Sequence, residues 1–294
     1  MQKHKMTLAR KRSLSGWAFL SIAAGLIIWM SFYPMIRGFY FALQTGAGAN
    51  MRFAGLLNFE RLLIDPHFGQ TITTTFIYLL VQVPIMLLTA LALASMLNNR
   101  ALKLRGVFRT AIFLPCTVGL VAYALIFRQM FAFDGLINTI LVNIGILESG
   151  HNWLGTAWSA RVVIIIGLLW RWTGFNMIFY LAGMQNIDRT IYEAARIDGA
   201  SVFQQFWKIT IPLLRPVILL TAIMSTNGTL QLIDESMNLT MGGPGIASRT
   251  MAHQIFSTAF AGVPNLGYAS AMAFVIFVMV AVLALLQMKV GDKR

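Results

Sequence analysis

Apolar stretches long enough to cross a lipid bilayer recur along this chain. The hydrocarbon core of a bilayer is about 30 Å thick and a helix rises about 1.5 Å per residue, so a span needs about 20 apolar residues. Six stretches meet or approach this length, and they comprise residues 16–36, 71–97, 110–127, 162–184, 211–233 and 266–288. The pattern predicts an all-α membrane protein with six transmembrane helices.

Basic residues are distributed unevenly between the predicted loops. Five of them lie in residues 1–15; with this end inside, the cytoplasmic segments hold fifteen Lys and Arg residues and the outer segments six. Cytoplasmic loops of membrane proteins carry an excess of these residues. We therefore expect one membrane domain over residues 16–288, with both termini (1–15 and 289–294) in the cytoplasm.

The composition narrows the possible classes of protein. The chain of 294 residues is 57% hydrophobic and 11% charged, with a mean hydropathy of +0.71, whereas a soluble domain is about 25% charged. The net charge of +13 could reflect nucleic acid, anionic lipid or topology, and its distribution favours topology and lipid headgroups over nucleic acid. One cysteine, Cys116, and four scattered histidines predict neither a disulfide nor a metal site.

The sequence contains no recognisable catalytic motif. A nucleotide-binding phosphate loop, a nucleophile elbow and a His-Glu-x-x-His zinc motif are all missing from it. The acidic residues lie in predicted loops and tails, and only Asp234 and Glu235 come close to a span. These features indicate a pore-like subunit that is not itself an enzyme and is driven by a partner.

The loop at about residues 187–210, between predicted spans four and five, has the pattern of two short helices. Thr190 with Glu193, and Ser201 with Gln204, have the spacing of capping boxes. Gly199 can end the first helix in a left-handed conformation. This loop could dock into a cleft of another protein, or it could be a connector lying on the membrane surface.

The loop resembles the EAA loop of permease subunits of bacterial ABC importers, in Glu193-Ala194-Ala195, Asp198-Gly199-Ala200 and Ile211-Pro212. Similarity to the carbohydrate-uptake branch, and to its maltose-permease-like first permease, extends over about residues 54–290. The segments that carry this similarity include Arg105-Gly106-x-Phe108-Arg109, Phe113-Leu114-Pro115, Gly174-Phe175-Asn176-Met177 and Leu239-Thr240-x-Gly242-Gly243-Pro244.

The resemblance implies a bacterial inner-membrane permease that imports a sugar or related polyol by alternating access. Its implied partners are a second homologous permease, a dimer of ATPase subunits that hold ATP and magnesium, and a periplasmic or lipid-anchored solute-binding protein. The implied coupling helix, which docks on the ATPase, contains Glu193, Ala194, Ala195, Asp198 and Gly199. The alternative is a secondary carrier or channel that works without ATP.

Polar residues in predicted spans four and five are candidates for the substrate path. Hydroxyl and amide groups match sugar hydroxyls, and aromatic faces match the apolar faces of sugar rings. The candidates are Arg171, Trp172, Asn176, Tyr180, Ser225, Asn227, Thr229 and Gln231. The alternative role is hydrogen bonding between helices. For Arg171 the alternatives are pairing with an acid or a carbonyl, or attraction of an anionic cargo such as one resembling glycerol 3-phosphate.

Overall fold

The computed structural model describes residues 8–46, 50–99 and 101–291. Several basic residues that support the predicted orientation lie outside the described residues, namely Lys3, Lys5, Arg100, Lys293 and Arg294. The helices are α1 (Leu8–Ile27), α2 (Tyr33–Ala42), α3 (Leu57–Ile64), α4 (Pro66–Asn98), α5 (Arg105–Phe113), α6 (Leu120–Met130), α7 (Leu136–Asn143), α8 (Ala157–Gln185), α9 (Arg189–Ile197), α10 (Val202–Gln205), α11 (Ile211–Leu230), α12 (Asp234–Asn238), α13 (Met251–Phe260) and α14 (Leu266–Gly291). The strands β1 (Gln44–Thr45) and β2 (Arg52–Phe53) form an antiparallel hairpin.

The described residues confirm the predicted all-α membrane fold. Five stretches are long and apolar enough to cross a membrane, namely Ser15–Ala42, Pro66–Asn98, Ala157–Gln185, Val202–Asn238 and Leu266–Gly291. Π-helical turns at Ile28–Phe32 and Phe206–Thr210 continue two of these stretches without a break. Each of the five contains one of the predicted spans.

The predicted span at residues 110–127 is not one continuous helix. Helix α5 gives way to a 3₁₀ turn at Leu114–Thr117, and α6 then leaves at an angle of 99°. Pro115 has no N–H to continue an α-helical ladder, and Gly119 has the extended backbone of a residue outside a helix. The number of spans is six if α5 and α6 together count as one bent span.

The chain forms two compact units, of which the smaller comprises Met1–Leu62 and Thr258–Phe274. Within it, the buried Asn58 donates from its amide nitrogen to the carbonyls of Ala42 at 2.9 Å and Gln44 at 2.7 Å, which fixes the hairpin to α3. The Arg61 guanidinium lies 4.3 Å from the centre of the Tyr268 ring. Helix α3 is thereby joined to the end of α2, to the hairpin and to the beginning of α14.

The larger unit comprises Leu63–Ser257 and Val275–Arg294. Its core forms where α4, α8 and α11 pack together, and small residues such as Ala90 and Ala94 are fully buried there. Small side chains let helix backbones approach closely within a membrane. A second cluster of buried side chains joins α6 to α8 through Tyr123, Phe127 and Ile164. Helices α8 and α11, which carry the candidate path residues, are therefore held against one another.

Candidate functional site

The coupling segment, residues 187–210, begins with a helix that Asp188 caps. Its Oδ1 accepts a hydrogen bond from the backbone N–H of Thr190 at 3.0 Å, and this bond lowers the pKa of the Asp188 carboxyl from its usual value. The predicted capping box of Thr190 with Glu193 is wrong, because Thr190 already lies inside α9. Glu193 therefore lies in the middle of α9, and it is exposed.

A Schellman turn closes α9 at the predicted glycine. The N–H of Ala200 donates to the carbonyl of Ala195 at 2.8 Å, and the N–H of Gly199 donates to that of Arg196 at 3.1 Å. Gly199 has φ +78°, a left-handed conformation that a residue with a Cβ adopts only with strain. The chain therefore reverses direction directly after the exposed Asp198.

The second half of the coupling segment continues without a loop into α11. The predicted capping box is present: Gln204 N–H donates to Ser201 Oγ at 3.2 Å, and Ser201 N–H donates to Gln204 Oε1 at 2.8 Å. The π-helical turn Phe206–Thr210 follows, and the hydroxyls of Tyr192 and Thr210 are hydrogen-bonded at 2.8 Å. This bond ties α9 to the beginning of α11.

The surface of the coupling segment carries both charged and apolar side chains. Glu193, Ala194 and Asp198 are exposed, whereas Ala195 is half-buried. Large apolar side chains are exposed beside them, including Ile197, Val202, Phe203 and Trp207. Apolar side chains at such exposure, next to a small-residue helix face, are suited to burial by another protein.

Arg171, near the middle of the α8 sequence, is paired with an acid. Its Nη1 lies 3.5 Å from Oε1 of Glu235, and the side chains are 13% and 3% exposed, respectively. The guanidinium also lies over two aromatic rings, 5.4 Å from the centre of Tyr123 and 5.2 Å from that of Trp172. Of the two roles expected for Arg171, the structure displays the ion pair.

Four other path candidates, Asn176, Tyr180, Ser225 and Thr229, form hydrogen bonds between helices. The hydroxyl of Tyr180 meets that of Thr221 at 2.8 Å, between α8 and α11. Thr229 donates to Gln82 Oε1 at 3.2 Å, between α11 and α4. The Asn176 amide donates to the Trp172 carbonyl at 3.0 Å and accepts from Ser225 at 3.4 Å.

The remaining candidates lie at the end of α11 and are open to a ligand. Gln231 donates to Asn227 Oδ1 at 2.5 Å, and both side chains are exposed. Trp170, which is not one of the eight candidates, is also exposed, and its ring stacks on that of Tyr123 at 6.0 Å between ring centres. The eight candidates therefore divide into six buried or half-buried side chains and two exposed amides, Asn227 and Gln231.

The loop that follows α12 is fixed by hydrogen bonds on both sides. Ser236 Oγ is 2.9 Å from His253 Nδ1 and 3.0 Å from the Ser248 carbonyl. Arg161 donates to the Ala247 carbonyl at 2.8 Å and to the Thr74 hydroxyl at 3.1 Å. Burial and the nearby positive charge of Arg249 lower the pKa of His253 to about 4, so this imidazole is neutral at pH 7.

Several residues of these networks were not singled out in the sequence. Glu235 was noted only as an acid near a span, and Tyr123, Gln82, Thr221 and His253 were not assigned a role. One signal in the sequence could have pointed to the ion pair: Arg171 is a lone arginine in predicted span four, and Asp234 and Glu235 are the only acids near predicted span five. Within the described ranges, no group of three or more His, Cys, Asp or Glu side chains is placed to hold a metal ion.

Comparison with known proteins places these features in a family. The model of the binding-protein-dependent transport system inner membrane component matches residues 66–290. The lactose transport system permease protein LacF of Rhizobium radiobacter is 47% identical over 99% of this chain and 98% of its own length. The trehalose/maltose transport system permease protein MalF of Thermococcus litoralis is 37% identical over 82% and 81%.

The fold is also found in crystal structures of a bacterial ABC transporter involved in the import of the acidic polysaccharide alginate. One chain of that transporter matches with a TM-score of 0.81 and 23% identity, over 96% of each chain. A chain of a bacterial alginate ABC transporter in complex with an alginate pentasaccharide-bound periplasmic protein matches with a TM-score of 0.82 and 23% identity. On the extent of the family match and of the identity to LacF, this chain belongs to the family of inner-membrane components of binding-protein-dependent transport systems.

Proposed function

We propose that this chain is the permease subunit of an ATP-driven importer that carries a neutral sugar across the inner membrane by alternating access. The observation that carries the proposal is the coupling segment. Its exposed Glu193 lies on a helix that is hydrogen-bonded to the turn leading into α11, one of the two helices that bear the candidate path residues. The lactose and trehalose/maltose systems of the relatives supply the class of cargo.

The coupling segment supports a role in which an ATPase moves the path helices. Glu193, Ala194, Asp198 and Gly199 would enter a cleft of the ATPase, with Ala195 behind them. The Tyr192–Thr210 hydrogen bond of 2.8 Å joins this helix to α11, so a displacement of α9 displaces α11 as well. Such rigid-body motion about a fixed site is one way to alternate access.

The pairing of Arg171 favours a neutral cargo over an anionic one. Its charge is already opposed by Glu235 at 3.5 Å, so the pair presents no net charge to a substrate. The exposed amides of Asn227 and Gln231 and the indole of Trp170 offer hydrogen bonds and an apolar ring face. These are the groups that bind a sugar, whereas an alginate-like or phosphorylated cargo needs uncompensated cations.

The proposal includes partners and an orientation. A second homologous permease would complete the path, an ATPase dimer would hold ATP and magnesium, and a periplasmic or lipid-anchored binding protein would deliver the sugar. Both termini and the coupling segment would lie in the cytoplasm, in agreement with the basic residues on that side. This chain itself would bind no cofactor.

Co-purification and transport test the proposal. We expect the tagged chain to bring down an ATPase and a second permease, and the complex in vesicles to import radiolabelled lactose only with ATP. Glu193→Ala should abolish at least nine-tenths of the uptake, about tenfold, while insertion stays normal. Glu148→Ala, which removes an exposed acid from another loop, is the matched control and should leave uptake unchanged.

Two outcomes would contradict the proposal. Recovery of the chain alone, with sugar transport that needs no ATP, would establish the carrier or channel alternative. Near-normal uptake by the Glu193→Ala variant would refute the coupling role of α9 even if an ATPase co-purified.

A further inference from the structure

A large basic cavity lies between the coupling segment and the ends of the membrane helices. Its volume is about 1250 Å³, and it is lined by the end of α4, the beginning of α5, the end of α8, and α9 and α10. Four arginines line it, Arg105, Arg109, Arg189 and Arg196, and Glu193 is the acid among its lining residues. The cavity therefore has a large excess of positive charge, which the function proposed above does not use.

Two features hold this positive charge in place. Arg109 donates from Nη2 to the carbonyl of Leu97 at 3.3 Å, which fixes its guanidinium beside the end of α4. Helix α5 begins after Leu104, whose φ of +59° and apolar side chain provide no side-chain cap for the first N–H groups. The uncapped beginning of a helix carries a partial positive charge, and Arg105 adds a full charge at the same point.

Exposed apolar side chains form a rim beside the cavity along α4 and α5. Met96 lines the cavity and is exposed, and Leu104, Val107 and Phe108, which are exposed as well, lie within two residues of the lining residues Arg105 and Arg109. Since the apolar run of residues 71–97 ends at Met96 and Leu97, the proposed orientation would put this rim near the boundary between acyl chains and headgroups. A basic cavity with an apolar rim at this depth matches a lipid, with its phosphate inside and its chains outside.

The geometry points to a binding site for the headgroup of an anionic phospholipid in the cytoplasmic leaflet. The lipid phosphate contacts Arg105 and Arg109, and its acyl chains pack along Leu104, Val107 and Phe108. Because residues of α5 and of α9 line the same cavity, the bound headgroup joins the coupling segment to the membrane. The inference rests on the proposed orientation, which places this end of the spans in the cytoplasm.

Native mass spectrometry of the purified complex tests the site directly. The complex is equilibrated with equal amounts of phosphatidylglycerol, cardiolipin and phosphatidylcholine, and the retained lipids are counted. We expect the anionic lipids to be retained over phosphatidylcholine, and Arg105→Gln to weaken their retention about fivefold, the contribution of one arginine near a membrane surface. Lys103→Gln removes a charge from the same loop but not from the cavity lining, and it should retain lipid like the wild type.

Further arms separate the possible sources of the anion. If excess inorganic phosphate displaces the lipid without loss of transport, or if retention is equal for all three lipids, the lipid site is refuted. If anionic lipid is retained only while the ATPase is bound, the arginines serve the contact with the ATPase, and the lipid site is also refuted. If ATP-driven lactose uptake is observed but anionic lipids are not preferred, only the lipid site is refuted. If anionic lipids are preferred but there is no ATP-driven uptake, only the proposed function is refuted.

Discussion

The ion pair of Arg171 with Glu235 places two opposite charges in a largely buried environment. A charge inside a membrane protein is stabilised by a partner, and removal of one member leaves the other uncompensated. The rings of Tyr123 and Trp172 over the guanidinium add to this stabilisation but do not replace the carboxylate. The pair is therefore sensitive to any change that removes one of its charges.

We expect Arg171→Ala to lower the free energy of unfolding by about 3–5 kcal/mol. Thermal unfolding of the detergent-solubilised protein measures this. The double variant Arg171→Met with Glu235→Leu removes both charges and should recover most of the loss. Arg215→Ala, at an exposed arginine of α11, serves as control, and equal stability of the Arg171 and Arg215 variants would contradict the prediction.

His253 gives stability a dependence on pH. Its pKa is about 4 in the folded protein and about 6.5 in an unfolded chain, so the unfolded chain takes up a proton first as the pH falls. The free energy of unfolding should consequently decrease from pH 6.5 towards pH 4, by at most about 1.4 kcal/mol per pH unit. Unfolding midpoints across this range measure it.

The variant His253→Gln removes the titrating group and should flatten this part of the pH profile. His67→Gln, at an exposed histidine of α4, should keep the slope of the wild type. If the unfolding midpoints of the wild type and of the His253 variant depend on pH in the same way, a group other than His253 causes the loss of stability at low pH.

At the scale of single residues, local spacing was a good guide and distant pairing was not. The Ser201–Gln204 box and the left-handed Gly199 follow from neighbours in the sequence, and both are present. The spacing of Thr190 and Glu193 predicted the cap at Thr190, whereas Asp188, two residues earlier and equally suited to cap a helix, is the residue that caps α9. The partner of Arg171 is 64 residues away, and only the packing of α12 beside α8 brings it close.

Among the elements, the π-helical turn Phe206–Thr210 decides how motion passes from the coupling segment to the path. Its last residue, Thr210, is buried and hydrogen-bonded to Tyr192 of α9. The bond adds a direct side-chain link between α9 and the turn that leads into α11, beside the connection along the chain through Gly199 and α10. The bond therefore makes α9 and α11 move together.

We expect Tyr192→Phe to insert normally and to lose about 1 kcal/mol of stability, the value of one neutral hydrogen bond. Its main effect should be fewer sugar molecules imported per ATP hydrolysed, because α9 can then move without α11. Simultaneous assays of ATP hydrolysis and uptake measure this ratio. Tyr40→Phe, at an exposed tyrosine of α2, should leave it unchanged, and an unchanged ratio in the Tyr192 variant would contradict the prediction.

The elements also show why one span was predicted only in part. Hydropathy identified residues 110–127 as apolar, since apolarity does not depend on the direction of the helix axis. The bend of 99° depends on Pro115 and Gly119, whose effects are local to the backbone and do not lower hydropathy. The number of spans was therefore easier to predict than the course of each one.

For the whole molecule, the distribution of charge predicts the orientation in the membrane. The chain contains one cysteine, Cys116, so a variant lacking it provides a background for thiol labelling. In that background, Phe203→Cys in the coupling segment should react with a membrane-impermeant reagent only in inverted vesicles. Asn152→Cys should react only in intact cells, and the reverse result would overturn the orientation.

The family and its architecture were predictable at this scale because they rest on many positions at once. The EAA-like loop and the six apolar stretches indicated the same class of protein, and the family match confirms it. The cavity beside the coupling segment was not predictable, since its lining comes from five helices and the loops between them. Spatial convergence of this kind is absent from any single stretch of sequence.

The exposure of the first span bears on how the protein is made. Inside this chain, no part of the apolar window of Ser15–Ala42 is buried, so this window needs no later segment to cover it. The helix can settle in lipid while the spans that follow it in the chain are still being synthesised. The growing chain is thereby anchored to the bilayer before its packed core exists, and the exposed apolar intermediates that aggregate in water are kept out of the cytosol during translation.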